Sequence, residues 1–257
     1  MDDITTFEML PDEMILLVSQ YLRCGKVLYS FFNLNSRLNS TIADICHHVN
    51  ISDVTYKQFD FIVSQIVPQI GFSIRSLVLN GKLESTTSNK VDSLFYNAKL
   101  SLIFPQLYRL SLVNFDDTQL DLFLDKITDL PDLVKLDFIN LRENHGEGSL
   151  GKILAANKDR LKSVSFDSDS IGFTFNRAIY DEMFCYPNIK ELTVNLKIGK
   201  LVRVIFQLVP HINRFHINCD PLSYLGISTS PNILPLVHLK DFQLKAIHIS
   251  WSFNENS

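Results

Sequence analysis

No CxxC pair occurs in this chain; its four cysteines, Cys24, Cys46, Cys185 and Cys219, stand far apart. That argues against a zinc knuckle or a disulfide framework and predicts buried free thiols. No stretch approaches the ~20 apolar residues of a membrane span, and the opening MDDITTFEML has neither a basic n-region nor a long apolar run. The expectation is a soluble intracellular protein, cytoplasmic and/or nuclear, with no membrane partner. Positive charge is not in excess either. With a formal net charge of −4 and a pI of about 6.0, no global field draws in phosphate backbones, which argues against nucleic acid as a partner. HExxH, paired His and carboxylate spacings and GxSxG are all missing. The sequence therefore predicts no catalytic residue, no metal site and no cofactor, and not an enzyme acting by itself.

What is present is apolar and periodic. The 257 residues are 46% hydrophobic, enough to bury a sizeable core as one large domain or as a small domain joined to a larger one. An apolar residue followed by others at plus three and plus five recurs as Ile74/Leu77/Leu79, Leu107/Leu110/Leu112, Leu133/Leu136/Phe138 and Leu161/Val164/Phe166. It continues as Ile189/Leu192/Val194, Ile212/Phe215/Ile217 and Leu239/Phe242/Leu244, with a weaker copy at Cys46/Val49/Ile51. Successive copies start about 27 residues apart.

Strand side chains alternate with period two, so the plus-three and plus-five residues share one face of a short strand. Helix-like segments lie between: TYKQFDFIVSQIV, KVDSLFYNAKLSLI, TQLDLFLDKITDL, LGKILAANKD, NRAIYDEMFCY and LVRVIFQLV. Strand, helix, strand at this period predicts an α/β fold with a parallel sheet. Prolines such as Pro105, Pro131, Pro187 and Pro210 suit helix exits, because proline cannot donate to a helix ladder and biases its predecessor to extended backbone.

The triplets match the LxxLxL core of the leucine-rich repeat family, which the chain resembles from about residue 46 to 245. The resemblance implies an irregular solenoid, with helices on the convex side of the sheet. The family's asparagine, expected three residues after the last core leucine, is missing there; Asn80, Asn114, Asn140, Asn195 and Asn218 fall one or two residues earlier. The fourth copy has AANKDRL where a proline is usual.

Residues 7 to 42 break the repeat. Pro11 followed by Asp12 and Glu13 predicts a helix start, since acids in the first turn complement the helix dipole. Met14, Ile15, Leu17, Val18, Tyr21 and Leu22 spread over roughly 160° of that helix. Two further helices, from Lys26 to about Leu34 and from Ser36 to Ile42, add Val27, Leu28, Phe31, Phe32, Leu34 and Leu38. Three helices of this size cannot enclose so much apolar surface, and some of it is expected to meet a partner.

Leu10-Pro11-Asp12-Glu13, then MILLVSQYL, then VLYSFFNLNSRLNSTI resemble an F-box, a three-helix module. The resemblance implies docking on a Skp-type adaptor, and through it on a cullin, in an SCF-type ubiquitin ligase. By position, Leu10 and Pro11 match the family's opening Leu-Pro and Glu13 its acid. Ile15, Val18 and Leu22 match the apolar positions of its first helix, Val27 and Leu28 the apolar pair of its second, and Arg37 the basic residue of its third. Gly25-Lys26 stands where an acid is common, and Leu38 where many members carry Trp; both departures predict weaker adaptor affinity. The implied organisation is an F-box-like module over 1–44 and a leucine-rich-repeat solenoid over 45–257 with about seven to eight repeats. The alternative is a repeat scaffold without a ligase role, whose first forty residues only cap the solenoid.

HGEGSLGK, residues 145 to 152, contains GxGxxG at Gly146, Gly148 and Gly151 and GxxxxGK ending at Lys152, which raises a remote nucleotide reading. Ile153 stands where the Walker pattern needs Ser or Thr, and INLRENH separates Phe138 from the first glycine, where a dinucleotide turn is tight. The run DSDS, 167 to 170, reads as turn and cap formers and not as an acid pair.

In a leucine-rich arc the residues flanking the core leucines form the binding face. Arg109, Lys135 and Arg214 are the expected docking cations for carboxylates or phosphates on a client protein, with Tyr108 as an aromatic anchor. Asp137 and His216 share that face. At the C-terminal end, Ile247, Ile249, Trp251 and Phe253 alternate with polar residues, which predicts a closing strand over 246 to 253.

Overall fold

Each apolar triplet becomes a strand. The structure, a computed structural model, describes residues 10–82, 99–141, 149–173, 185–197, 201–219 and 237–246. Its strands are β1 (His48–Asn50), β2 (Ser76–Asn80), β3 (Arg109–Val113), β4 (Lys135–Ile139), β5 (Ser163–Phe166), β6 (Glu191–Leu196), β7 (Arg214–Cys219) and β8 (Asp241–Ala246). They form one parallel sheet in chain order, β1 to β8. The fold is therefore α/β, as the alternation of strand and helix segments predicts. Equivalent triplet positions pair in register: Val49 with Leu77, Leu136 with Val164, Leu192 with Phe215, and Phe215 with Phe242.

The helices are α1 (Asp12–Gln20), α2 (Cys24–Phe31), α3 (Ser36–Ile45), α4 (Tyr56–Phe61), α5 (Val67–Ile70), α6 (Leu100–Ile103), α7 (Asp117–Ile127), α8 (Ser149–Ala155) and α9 (Leu201–Leu208). Compact packing divides the chain into residues 1–111 with 129–132, and residues 112–128 with 133–257. The three N-terminal helices thus share a unit with the first repeats.

In the first unit, local chemistry sets the helix starts. Pro11 precedes α1 with extended backbone, and Asp12 and Glu13 occupy its first turn. Asn35 caps α3 by accepting from the Leu38 amide at 2.8 Å. Thr55 and Gln58 form a capping box on α4. Between α4 and α5 the chain widens into a π turn over Ile62–Ile66, followed by Pro68. A proline there would drive its ring toward the carbonyl of Ser64 in a regular helix, and the wider turn makes room for it. Phe59, Ile62, Ile66, Val67 and Ile70 are buried from this segment.

α2 lies against the strand and loop that follow α3. A Cβ on Gly25 would sit 2.5 Å from Val54 Cγ1 and 3.3 Å from the Asn50 carbonyl, so only glycine permits this approach. The rings of Tyr29 and Phe61 meet edge to face at 5.5 Å. Ile15, Val27, Leu28, Phe32, Leu38 and Ile42 are buried. Leu38, where the resembled family often carries Trp, is thus a core residue.

In the second unit the same logic repeats. Asp116 and Gln119 form the capping box of α7, which buries Leu120, Phe123, Leu124 and Ile127. Phe138 and Phe166, paired in register on β4 and β5, stack at 4.8 Å, and Phe173 meets Phe166 edge to face at the same distance. Such pairs contribute about 0.5–1.5 kcal/mol beyond area burial. After α8, where four of the other repeats have Pro105, Pro131, Pro187 or Pro210, Asn157, Lys158 and Asp159 turn the chain with φ of 58°, 53° and 60°. Asn157 is wholly buried and donates its side-chain amide to the Leu133 carbonyl at 2.7 Å.

The displaced asparagines are structural. Asn80 Nδ2 donates to the Ser52 carbonyl at 2.9 Å. Asn140 donates to the Asn114 side chain, and both residues sit in the left-handed region just past their strands. Asn195 Nδ2 donates to the carbonyls of Asp167 and Ser170, each at 2.7 Å. Parts of the expected helices near 90–98 and 176–184, and the expected closing strand with Trp251, lie outside the described residues. Phe242 and Leu244 on β8 are exposed. Among the described residues, no helix is long and apolar enough to cross a membrane.

Candidate functional site

The sequence-predicted residues lie on the N-terminal helices and on the strands. On α1 the helix start is fixed by Arg37 of α3. Its guanidinium donates to the Leu10 carbonyl at 2.8 Å and pairs with Asp12 at 3.2 Å. This holds Leu10, half-buried, and Pro11, exposed, at the mouth of the helix. Arg37 was expected as the basic residue of the third helix, and this bridge gives it a role in placing the Leu-Pro start.

The expected adaptor residues separate into two groups. Ile15, Val27 and Leu28 are buried and hold the helices together. Pro11, Glu13 and Leu22 are exposed, and Val18 is half-buried. Sequence reasoning did not select Met14, Leu17 and Tyr21 as contact residues, yet they too are open apolar side chains, at 46%, 45% and 84% exposure. At 100° per residue they fall within about 60° of one another, a continuous stripe. A helical wheel identifies the apolar arc; it cannot tell which half the chain itself covers.

On the other side of α1, a cleft of about 370 Å³ is lined by Leu16, Leu22, Cys24, Val27, Cys46 and His48 among others. Cys24 is half-buried, Cys46 buried, Cys219 buried and Cys185 exposed, and all four are free. The expectation of uniformly buried thiols therefore fails at Cys185, which burial nonetheless pushes above the ordinary thiol range. The hydrogen bond between the two side chains holds the Cys24 thiol below the ordinary range, against the effect of burial and with help from the Asn50 backbone. The same hydrogen bond, together with burial, pushes Cys46 up.

On the sheet, the expected client residues occupy the strand positions assigned to them. Arg109 begins β3 and is exposed, with Tyr108 beside it at 47% exposure. Lys135 and Asp137 lie on β4, and Asp137 accepts from Ser165 Oγ at 2.6 Å. Arg214 and His216 lie on β7 and are brought together by acids on both neighbouring strands. Arg214 meets Glu191 at 3.5 Å and Asp241 at 3.3 Å, and His216 Nε2 meets Asp241 at 3.0 Å. The His216 hydrogen bond, then the nearby His216 and Arg214 charges, hold the Asp241 carboxyl below its usual range despite some desolvation. Glu191 and Asp241 are not among the residues that the sequence singles out. In the structure they occupy Arg214, so an incoming carboxylate must compete with two that are already in place.

Of the glycine-rich loop, residues 142–148 lie outside the described residues. Gly151 and Lys152 lie in α8, and Lys152 Nζ meets both Asp121 carboxylate oxygens at 3.0 and 3.1 Å. Asp167 and Ser170 of the DSDS run act as turn formers. Asp167 accepts from the Asn140 amide at 2.9 Å, and Ser170 Oγ accepts from the Leu141 amide at 3.0 Å. Among the described residues no group of three or more His, Cys, Asp or Glu is placed to hold a metal ion. No family model, no curated protein and no solved structure matches this chain.

Proposed function

We propose that this chain is the substrate receptor of a cullin-RING ubiquitin ligase of the SCF type. In this reading residues 1–44 are an F-box-like module that docks on a Skp-type adaptor, and residues 45–257 are a leucine-rich-repeat arc that holds a client protein. The observation that carries it is the open stripe of Met14, Leu17 and Tyr21 on a helix whose Leu10-Pro11 start is bridged by Arg37. An amphipathic helix with an uncovered apolar face is suited to a groove on a partner. Burial of each stripe residue there contributes on the order of 1 kcal/mol. The ordered parallel sheet supports the client half of the reading, with Tyr108, Arg109 and Lys135 as contacts. Arg214 and His216 enter only with rearrangement of their acid partners.

The test is capture of the full chain by a purified Skp-type adaptor. The double variant Leu10→Ala/Pro11→Ala is expected to lose capture while keeping its circular dichroism spectrum. Absence of binding at micromolar concentration contradicts the proposal.

A second reading, a repeat scaffold in which the helices only cap the first repeat, is favoured by the close packing of α2 at Gly25 and Tyr29. It predicts that charge substitutions on the Met14, Leu17 and Tyr21 stripe leave every interaction of the protein unchanged.

A further inference from the structure

Cys24 and Cys46 are separated by 21 intervening residues, yet both line one cleft. Cys24 is the first residue of α2, and Cys46 is the C-cap of α3. Leu22 and His48, also in the lining, are exposed, so the cleft opens to solvent. The two thiols differ in environment: Cys24 is half-buried and Cys46 buried.

We propose that Cys24 and Cys46 form a dithiol modification site that low-molecular-weight disulfides oxidise to an intrachain disulfide.

The environments assign the order of events. A thiolate is the attacking species, and it is favoured at a helix N-terminus with donors aimed at the sulfur. Cys24 has that position, and its surroundings hold its thiol below the ordinary range. Its thiolate attacks one sulfur of a small disulfide such as oxidised glutathione. The S–S bond of glutathione breaks, and one glutathione leaves and takes up the proton that Cys24 gave up. Cys46, which remains protonated in its buried setting, then loses its proton to solvent as its sulfur attacks the Cys24 sulfur of the mixed disulfide. The second glutathione leaves and is protonated. Two protein thiols are oxidised to one disulfide while one glutathione disulfide is reduced to two thiols. Glutathione enters through the cleft, and the new bond ties the start of α2 to the end of α3.

The experiment exposes the full chain to oxidised glutathione and maps disulfides by mass spectrometry of a non-reducing digest, repeated in a Cys185→Ser background. The expected product is a Cys24–Cys46 cross-linked peptide in both proteins, with a raised melting temperature that dithiothreitol reverses. In Cys46→Ser, glutathione is expected to remain on Cys24; in Cys24→Ser, neither an adduct on Cys46 nor stabilisation is expected. Since the wild-type map needs no substitution, a poorly folding variant does not blunt the test. The proposal is overturned if Cys24 and Cys46 both remain alkylatable after treatment, or if glutathione accumulates on Cys185 alone.

Discussion

Asn218 Nδ2 donates to Asn195 Oδ1 at 2.8 Å, between two residues paired in register on β7 and β6. Asn195 is 2% exposed, and its own amide satisfies two backbone carbonyls of the preceding loop. One side chain therefore joins three consecutive repeats. Asn195→Leu removes all of these bonds and leaves buried acceptors unpaired, at about 1–3 kcal/mol each when no water reaches them. The expected loss is about 2–4 kcal/mol in denaturant unfolding. Asn218→Ala, which breaks only the bond between the asparagines, is expected to cost less than half as much.

Much of this was legible in the sequence. Val49, Leu77, Leu136, Val164, Leu192 and Phe215 recur at nearly constant spacing, and each occupies a buried position of a parallel strand. The N-terminal helices were legible too, because Pro11-Asp12-Glu13 is a local start. What escaped were relations between distant residues of unremarkable type: Glu191 and Asp241 around Arg214, Cys24 against Cys46, and Arg37 on Leu10. Backbone detail escaped as well. Nothing in VPQI announces a π turn ahead of Pro68, and AANKDRL reveals a missing proline without revealing the left-handed turn that replaces it.

Gly25 departs from the acid that the resembled family commonly carries, and its neighbours explain the departure. Gly25→Asp places a carboxylate against Val54 and the Asn50 carbonyl. Overpacking alone costs about 1–3 kcal/mol, and an unpaired buried charge adds to it. The expected outcome is a lowered melting temperature; an unchanged one would show that α2 stands off β1.

Lys158 is the middle of three consecutive left-handed residues. A side chain there costs roughly 1–2 kcal/mol relative to glycine, whereas glycine adds about 0.5–1 kcal/mol of unfolded-state entropy. The first effect wins, so Lys158→Gly is expected to stabilise by up to about 1 kcal/mol. Chemical denaturation reads the sign directly.

Asp241 titrates below its unfolded value because the folded state favours its charged form, chiefly through His216. Its contribution to stability is thus present above the ordinary carboxylate range and lost as pH falls through the folded value. Asp241→Asn removes that dependence. The variant is expected to lose less stability than the wild type on acidification below about pH 5; parallel stability curves would show that the Arg214 and His216 contacts do not act on this carboxylate in solution.

The central claim is that the N-terminal helices dock on a Skp-type adaptor through the open face of α1. Calorimetric titration of the full chain with the purified adaptor tests it most directly, with Leu17→Asp as the comparison because Leu17 is 45% exposed and outside the helical core. The account predicts saturable equimolar binding at micromolar or tighter affinity, weakened tenfold or more by Leu17→Asp without a change in melting temperature. No heat of binding, or equal binding by both proteins, would contradict it.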